Sequence, residues 1–96
     1  KAIETTQSRG RLYRRAGDAA RAGTILRVAT VRRLATFLGL PAGSPAGVVA
    51  EAVSRATGRP PAHVHALLGG PPPRDEREMI ALANDLSTLE KEVHRP

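Results

Sequence analysis

Apolar side chains along this chain recur at spacings of three and four, and no stretch sustains the period-two alternation of a strand. That pattern predicts an all-α fold. Three breaks punctuate it, each rich in glycine and proline: Gly39-Leu40-Pro41-Ala42-Gly43-Ser44, Gly58-Arg59-Pro60 and Gly69-Gly70-Pro71-Pro72-Pro73. Each opens on a glycine suited to the left-handed position after a helix and soon meets a proline that cannot continue one.

Between the breaks the elements read as follows. Residues 3–16 form a polar, Arg-rich helix, weakened by Gly10 and Gly17 and expected to fray at its start. Residues 18–38 form a second helix with Asp18 as its N-cap. At about 100° per residue, Leu26, Val28, Val31, Leu34, Ala35, Phe37 and Leu38 share a broad apolar face, opposite Arg32, Arg33 and Thr36. Arg27 falls inside that face and is expected to snorkel outwards or to pair with an acid of another helix.

Ser44-Pro45 reads as an N-cap followed by proline at the first helical position, opening a helix that carries Val48, Val49 and Val53 and stops at Gly58. A short helix covers residues 61–68. The last runs over about residues 75–94. Asp75 and Glu78 give a D-x-x-E variant of the capping box, and Met79, Leu82, Ala83, Leu86, Leu89 and Val93 form a stripe expected to pack along the second helix. The expectation is one helical domain over residues 1–96: a basic leading helix at 1–17, then a small bundle at 18–96, four to five helices in all with Gly/Pro-rich connections.

Composition narrows the function. The 96 residues hold no cysteine, which removes disulfides, thiolate metal sites and cysteine nucleophiles. No apolar run approaches the length of a membrane span, and no secretory leader opens the chain. The start at Lys1 suggests a fragment of a longer protein. The core must be thin, because 16 residues are alanine and only Tyr13 and Phe37 are aromatic.

The net charge of +6 is unevenly placed. Residues 1–33 hold nine basic side chains against two acids, +7, whereas residues 34–96 come to −1. Such asymmetry points to an anionic surface of lipid, nucleic acid or acidic protein, with Arg9, Arg11, Arg14, Arg15, Arg21, Arg32 and Arg33 as contact residues. The competing reading is a solvated helix enriched in arginine by GC-rich codon usage.

Candidate chemistry is sparse. His63 and His65 lie about 200° apart on a helix and cannot share a metal, and His94 suits a helix C-terminus. Asp75, Glu76 and Glu78 cluster in a first helical turn, where acids cap and favour the dipole. Ser44 and Ser87 have no histidine or acid at a triad spacing, and Gly69-Gly70 lacks the lysine of a phosphate loop. No catalytic residue, metal or cofactor is expected, and no enzyme. Pro71-Pro72-Pro73 reads as a rigid spacer rather than a ligand for an aromatic groove. The helix–turn–helix outline at residues 45–68 gives its second helix only two histidines for base edges, so sequence-specific DNA readout is not expected.

Several motifs in order carry a resemblance: Arg9-Gly10-Arg11-Leu12-Tyr13-Arg14-Arg15-Ala16-Gly17-Asp18; Arg32-Arg33-Leu34-Ala35 leading to Leu38-Gly39-Leu40-Pro41; Ala56-Thr57-Gly58-Arg59-Pro60-Pro61; Ala66 to Pro73; and Leu82-Ala83-Asn84-Asp85-Leu86-Ser87-Thr88-Leu89-Glu90-Lys91-Glu92-Val93. Over nearly the whole chain this resembles the C-terminal region of actinobacterial membrane proteins of unknown function, encoded beside MoxR-type AAA+ ATPases. The resemblance implies a cytoplasmic tail following a membrane helix, with the +7 segment on the positive-inside side. It implies no catalytic residues.

The expected function is therefore a non-enzymatic, cytosolic protein-interaction domain of a membrane-anchored protein, with an AAA+ ATPase system as partner and an anionic membrane surface in reach. The alternative is a non-specific nucleic-acid-binding module using the N-terminal arginines. Self-association through the stripe of residues 79–93 is a third reading. A monomer is favoured over it, because a thin core needs that stripe internally.

Overall fold

The computed structural model describes the backbone of residues 2–95 and the side chains of residues 10, 11 and 13–95. Among the described residues it is all-α, with four helices: α1 (Ala2–Phe37), α2 (Ala46–Thr57), α3 (Pro61–Gly69) and α4 (Glu76–His94). The two expected N-terminal helices are one. Asp18 does not cap a new helix; it stands mid-helix, 3.6 Å from Arg21 one turn on. Gly10 and Gly17 leave the helix unbroken, since a glycine costs only about 1 kcal/mol in a run of good helix formers such as Ala16, Ala19, Ala20 and Arg21.

The ends of the helices follow from local chemistry. α1 closes in a Schellman motif: Gly39 takes φ +77°, its amide bonds Thr36 O at 3.2 Å, and the Leu40 amide bonds Ala35 O at 2.8 Å. α2 begins one residue later than the sequence predicts. Ser44 donates its hydroxyl to Pro41 O at 2.6 Å within the turn, and Pro45 is the cap residue, its carbonyl accepting from Val48 and Val49. Gly58, at φ +79°, ends α2, and the Ser54 hydroxyl donates to Arg59 O at 2.6 Å to hold the tight turn into α3.

α4 opens as expected on Asp75, whose carboxylate accepts from the Glu78 amide at 2.8 Å. The Glu78 carboxylate reaches back to the Arg74 amide and guanidinium rather than to the amide of Asp75. Those bonds from Arg74 hold the Glu78 carboxyl below its ordinary range.

α2 and α3 form a helical hairpin. It carries the chain back so that α1 and α4 lie side by side and parallel. The contacts fix their register: Arg33 meets Glu90 and Phe37 meets His94, each pair 57 positions apart. Residues 19–37 of α1 thus lie against residues 76–94 of α4. The first buried side chain of α1 among the described residues is Ala19, 7% exposed. The preceding part of α1 runs past the end of α4 by about 25 Å, at 1.5 Å per residue. The long axis of the molecule, 58 Å, is essentially the length of α1.

The core is one cluster drawn from all four helices, centred on Leu34, Val49, Val53, Val64, Leu86 and Leu89. It is thin and aliphatic, as the composition requires. The apolar face of α1 is narrower than the sequence predicts, because Val28 and Phe37 are exposed. Phe37 instead lies against the His94 ring, with centroids 3.9 Å apart. Among the described residues no helix is long and apolar enough to cross a membrane.

Candidate anionic-surface interface

The seven arginines singled out in the sequence have different surroundings. All lie on α1, and the Arg9 side chain falls outside the described residues. Arg11, Arg14 and Arg15 are exposed on the part of α1 that precedes its buried segment, with no ion pair among the described residues. Arg14 donates only to its own helix, at 3.4 Å to Gly10 O. Arg21 is exposed and close to Asp18 at 3.6 Å, a contact of little energetic consequence in open solvent. Arg32 is exposed and has no acidic partner among the described residues.

Arg33 differs from these. Its guanidinium grips the Glu90 carboxylate through Nη2 at 2.8 Å and Nε at 3.1 Å, and donates to the Thr30 hydroxyl at 3.3 Å. The hydrogen bonds to Glu90 raise its pKa above the ordinary arginine value. A side chain held in this way tethers α1 to α4 and is poorly placed to meet an outside anion.

Two cations of the bundle are likewise paired with its acids, whereas Arg55, Arg77, Lys91 and Arg95 are exposed and hold no ion pair among the described residues. Arg59, in the α2–α3 turn, forks the Glu92 carboxylate of α4 at 2.7 and 2.9 Å. That pairing holds Glu92 below the ordinary carboxylate range. Arg74 pairs with Glu78 at 2.7 Å.

Arg27 does something the sequence did not suggest. It neither snorkels to solvent nor meets an acid. Its guanidinium lies at the C-terminal end of α3 and donates to Leu67 O at 2.9 Å, Gly70 O at 2.9 Å and Pro71 O at 2.8 Å. This is where a helix presents unsatisfied carbonyls and partial negative charge, so a cation is doubly favoured. Burial lowers the Arg27 pKa from its ordinary value, without bringing arginine near deprotonation.

One turn earlier, Gly23 completes the joint. A Cβ there would lie 2.6 Å from Pro73 Cγ, so only glycine admits the buried proline. Gly23 and Arg27, four residues apart on one face of α1, thus seat the three-proline connector, which acts as the spacer the sequence predicts. Gly69, which opens this break, does not take the left-handed position that Gly39 and Gly58 take; it is the last residue of α3, Gly70 after it is extended at φ −74°, and Arg27 satisfies the carbonyls there.

Other candidate chemistry stays dispersed. His63 and His65 are both exposed on different sides of α3, and His65 Nε2 lies 3.0 Å from Glu51. His94 Nδ1 donates to Glu90 O at 2.7 Å in the last turn of α4, the position its place in the sequence suggests. Among the described residues no three His, Asp or Glu side chains gather as metal ligands. The cleft between α1 and α4 is lined by Leu26, Leu86, Arg33 and Glu90, the last two already paired with each other.

No protein-family model, no curated protein sequence and no solved structure matches this chain.

Proposed function

We propose that this chain is a non-enzymatic interaction domain of a membrane-anchored protein, working on the cytoplasmic face of the membrane and using the leading part of α1 as a basic contact arm for a protein partner. The observation that supports it is a division of labour among the arginines. Arg27, Arg33, Arg59 and Arg74 each hold a partner within the fold and the unpaired Arg55, Arg77 and Arg95 are scattered over the bundle, while Arg11, Arg14 and Arg15 stand exposed within five residues of one another ahead of it. Exposed like charges on one projecting element steer association with an anionic surface, raising on-rates in a salt-dependent way. The partner class suggested by the resemblance is an AAA+ ATPase of the MoxR type, presenting an acidic patch to the arm.

The test is direct binding of the chain to a purified ATPase of that type, with ATP and with ADP. Binding should weaken with salt and fall at least tenfold in the R11E, R14E and R15E triple variant, but not in R74Q. No binding in either nucleotide state overturns the partner assignment. The same three arginines also suit a phosphodiester backbone. A mobility shift at low salt, absent from the triple variant, would favour that second reading.

A further inference from the structure

α1 has a second face, opposite the one that packs. From Arg11, positions 14, 18, 21, 25, 28 and 32 follow at alternating spacings of three and four, all exposed. At about 100° per residue they fall in one sector roughly 100° wide. Gly23, Thr30 and Leu34, buried against the rest of the bundle, lie on the opposite side of the helix. The stripe is therefore an open edge about 32 Å long at 1.5 Å per residue.

Its composition mixes charged and apolar side chains on one exposed edge. Arg11, Arg14, Asp18, Arg21 and Arg32 are charged, but Ile25 and Val28 are not, and they stand 64% and 53% exposed. These two β-branched side chains are neighbours one turn apart. They are bracketed by Arg21 four residues before and Arg32 four residues after.

We propose that this stripe docks α1 lengthwise on an anionic lipid bilayer, with Arg11, Arg14, Arg21 and Arg32 on lipid phosphates and Ile25 and Val28 reaching beneath the head groups. The inference deepens the reading of α1 as a contact for an anionic surface and rests on it. Three arguments select the occupant. A bilayer surface layers negative charge over an apolar interior, and a helix carrying both chemistries on one exposed edge matches that order. A phosphodiester backbone accounts for the arginines but offers nothing to Ile25 and Val28. A second copy of the chain is a poorer match, since it too carries +6, and four of its acids, Glu51, Glu78, Glu90 and Glu92, already hold internal partners.

The chain has no tryptophan, so one reporter can be read without background. The experiment uses the 96-residue chain with vesicles of phosphatidylcholine, pure or with 30% phosphatidylglycerol, at 50 and 300 mM salt. Ile25→Trp should show a blue-shifted emission with phosphatidylglycerol vesicles, reversed by salt, and none with phosphatidylcholine alone. In flotation of the otherwise unaltered chain, I25S/V28S should reduce the bound fraction at least fivefold, and R21Q/R32Q likewise, with an unchanged helical circular dichroism spectrum. Equal binding to both vesicle types, an unshifted emission, or full binding by I25S/V28S overturns the proposal. Binding to the ATPase or to DNA with no vesicle binding also overturns it, while leaving the anionic-surface reading of α1 intact.

Discussion

Replacing Arg27 by methionine keeps the length and apolar stem of the side chain and removes only the guanidinium. Three carbonyls, of Leu67, Gly70 and Pro71, then lose a charged donor that stands within 2.9 Å. Hydrogen bonds to charged groups contribute about 1.5–3 kcal/mol each, but they are not additive on one guanidinium. Two of these carbonyls lie at the partly exposed end of α3, where water can replace the donor. The expected loss is therefore about 2–3 kcal/mol, well short of three full bonds. For a domain of this size each kcal/mol lowers Tm by about 4–8 °C. R27M should thus melt roughly 10–20 °C below the parent in circular dichroism at 222 nm, with a matching drop in the urea midpoint. R27K, which keeps the charge but cannot fork several carbonyls, should fall between. R32M, five residues further on and exposed on another face of α1, should stay within about 0.5 kcal/mol of the parent. If R27M matches R32M, the assignment of Arg27 as the cap of α3 is wrong.

Two further outcomes are expected. Alanine at Gly17, which faces open space within a continuous helix, should stabilise by about 0.5–1 kcal/mol, whereas alanine at Gly23, which must overlap Pro73, should destabilise by about 1–3 kcal/mol despite the same gain in propensity; thermal melts of the two variants should move in opposite directions. Glu92 and Glu78 have carboxyls lowered by Arg59 and Arg74, so the stability they contribute is complete above the ordinary carboxylate pKa of about 4.3 and is lost as pH falls through their lower folded values; urea midpoints should decline below about pH 4.3, and less so in Glu92→Gln, which should give the same slope as the parent if the pairing is absent.

The parts of the fold legible in the sequence are those decided within one turn of chain. Asp75 before Glu78 marks the start of α4, and Gly39 and Gly58 mark the ends of α1 and α2, because caps and left-handed glycines act on their immediate neighbours. Asp18 misled for the same reason. It resembles a cap after Gly17, but capping competes with continuation, and the flanking alanines favour continuation. The role of Arg27 was hidden because its partners are backbone carbonyls 40 to 44 residues away, and carbonyls leave no side-chain pattern. Arg33 reads from the sequence as a contact residue because its partner Glu90 lies outside the apolar stripe of α4, 57 positions away. Periodicity showed two faces that needed covering but not that α1 and α4 run in the same direction, which depends on how far the α2–α3 hairpin returns the chain. Val28 and Phe37 fall within the apolar face that the sequence predicts for α1, yet both are exposed. A 3.6-residue period gives the centre of an apolar face more reliably than its width.

The parallel register of α1 and α4 has a mechanical consequence. The first turn of α1 and the last turn of α4 lie at opposite ends of the long axis, so tension applied between them slides one helix along the other instead of peeling it away. The Arg33–Glu90 fork, the Phe37–His94 contact and the joint at Gly23 and Arg27 would then bear the force simultaneously rather than in succession. In this direction the bundle acts as a stiff coupling, and a pull on the basic arm is delivered to the whole α1–α4 interface at once.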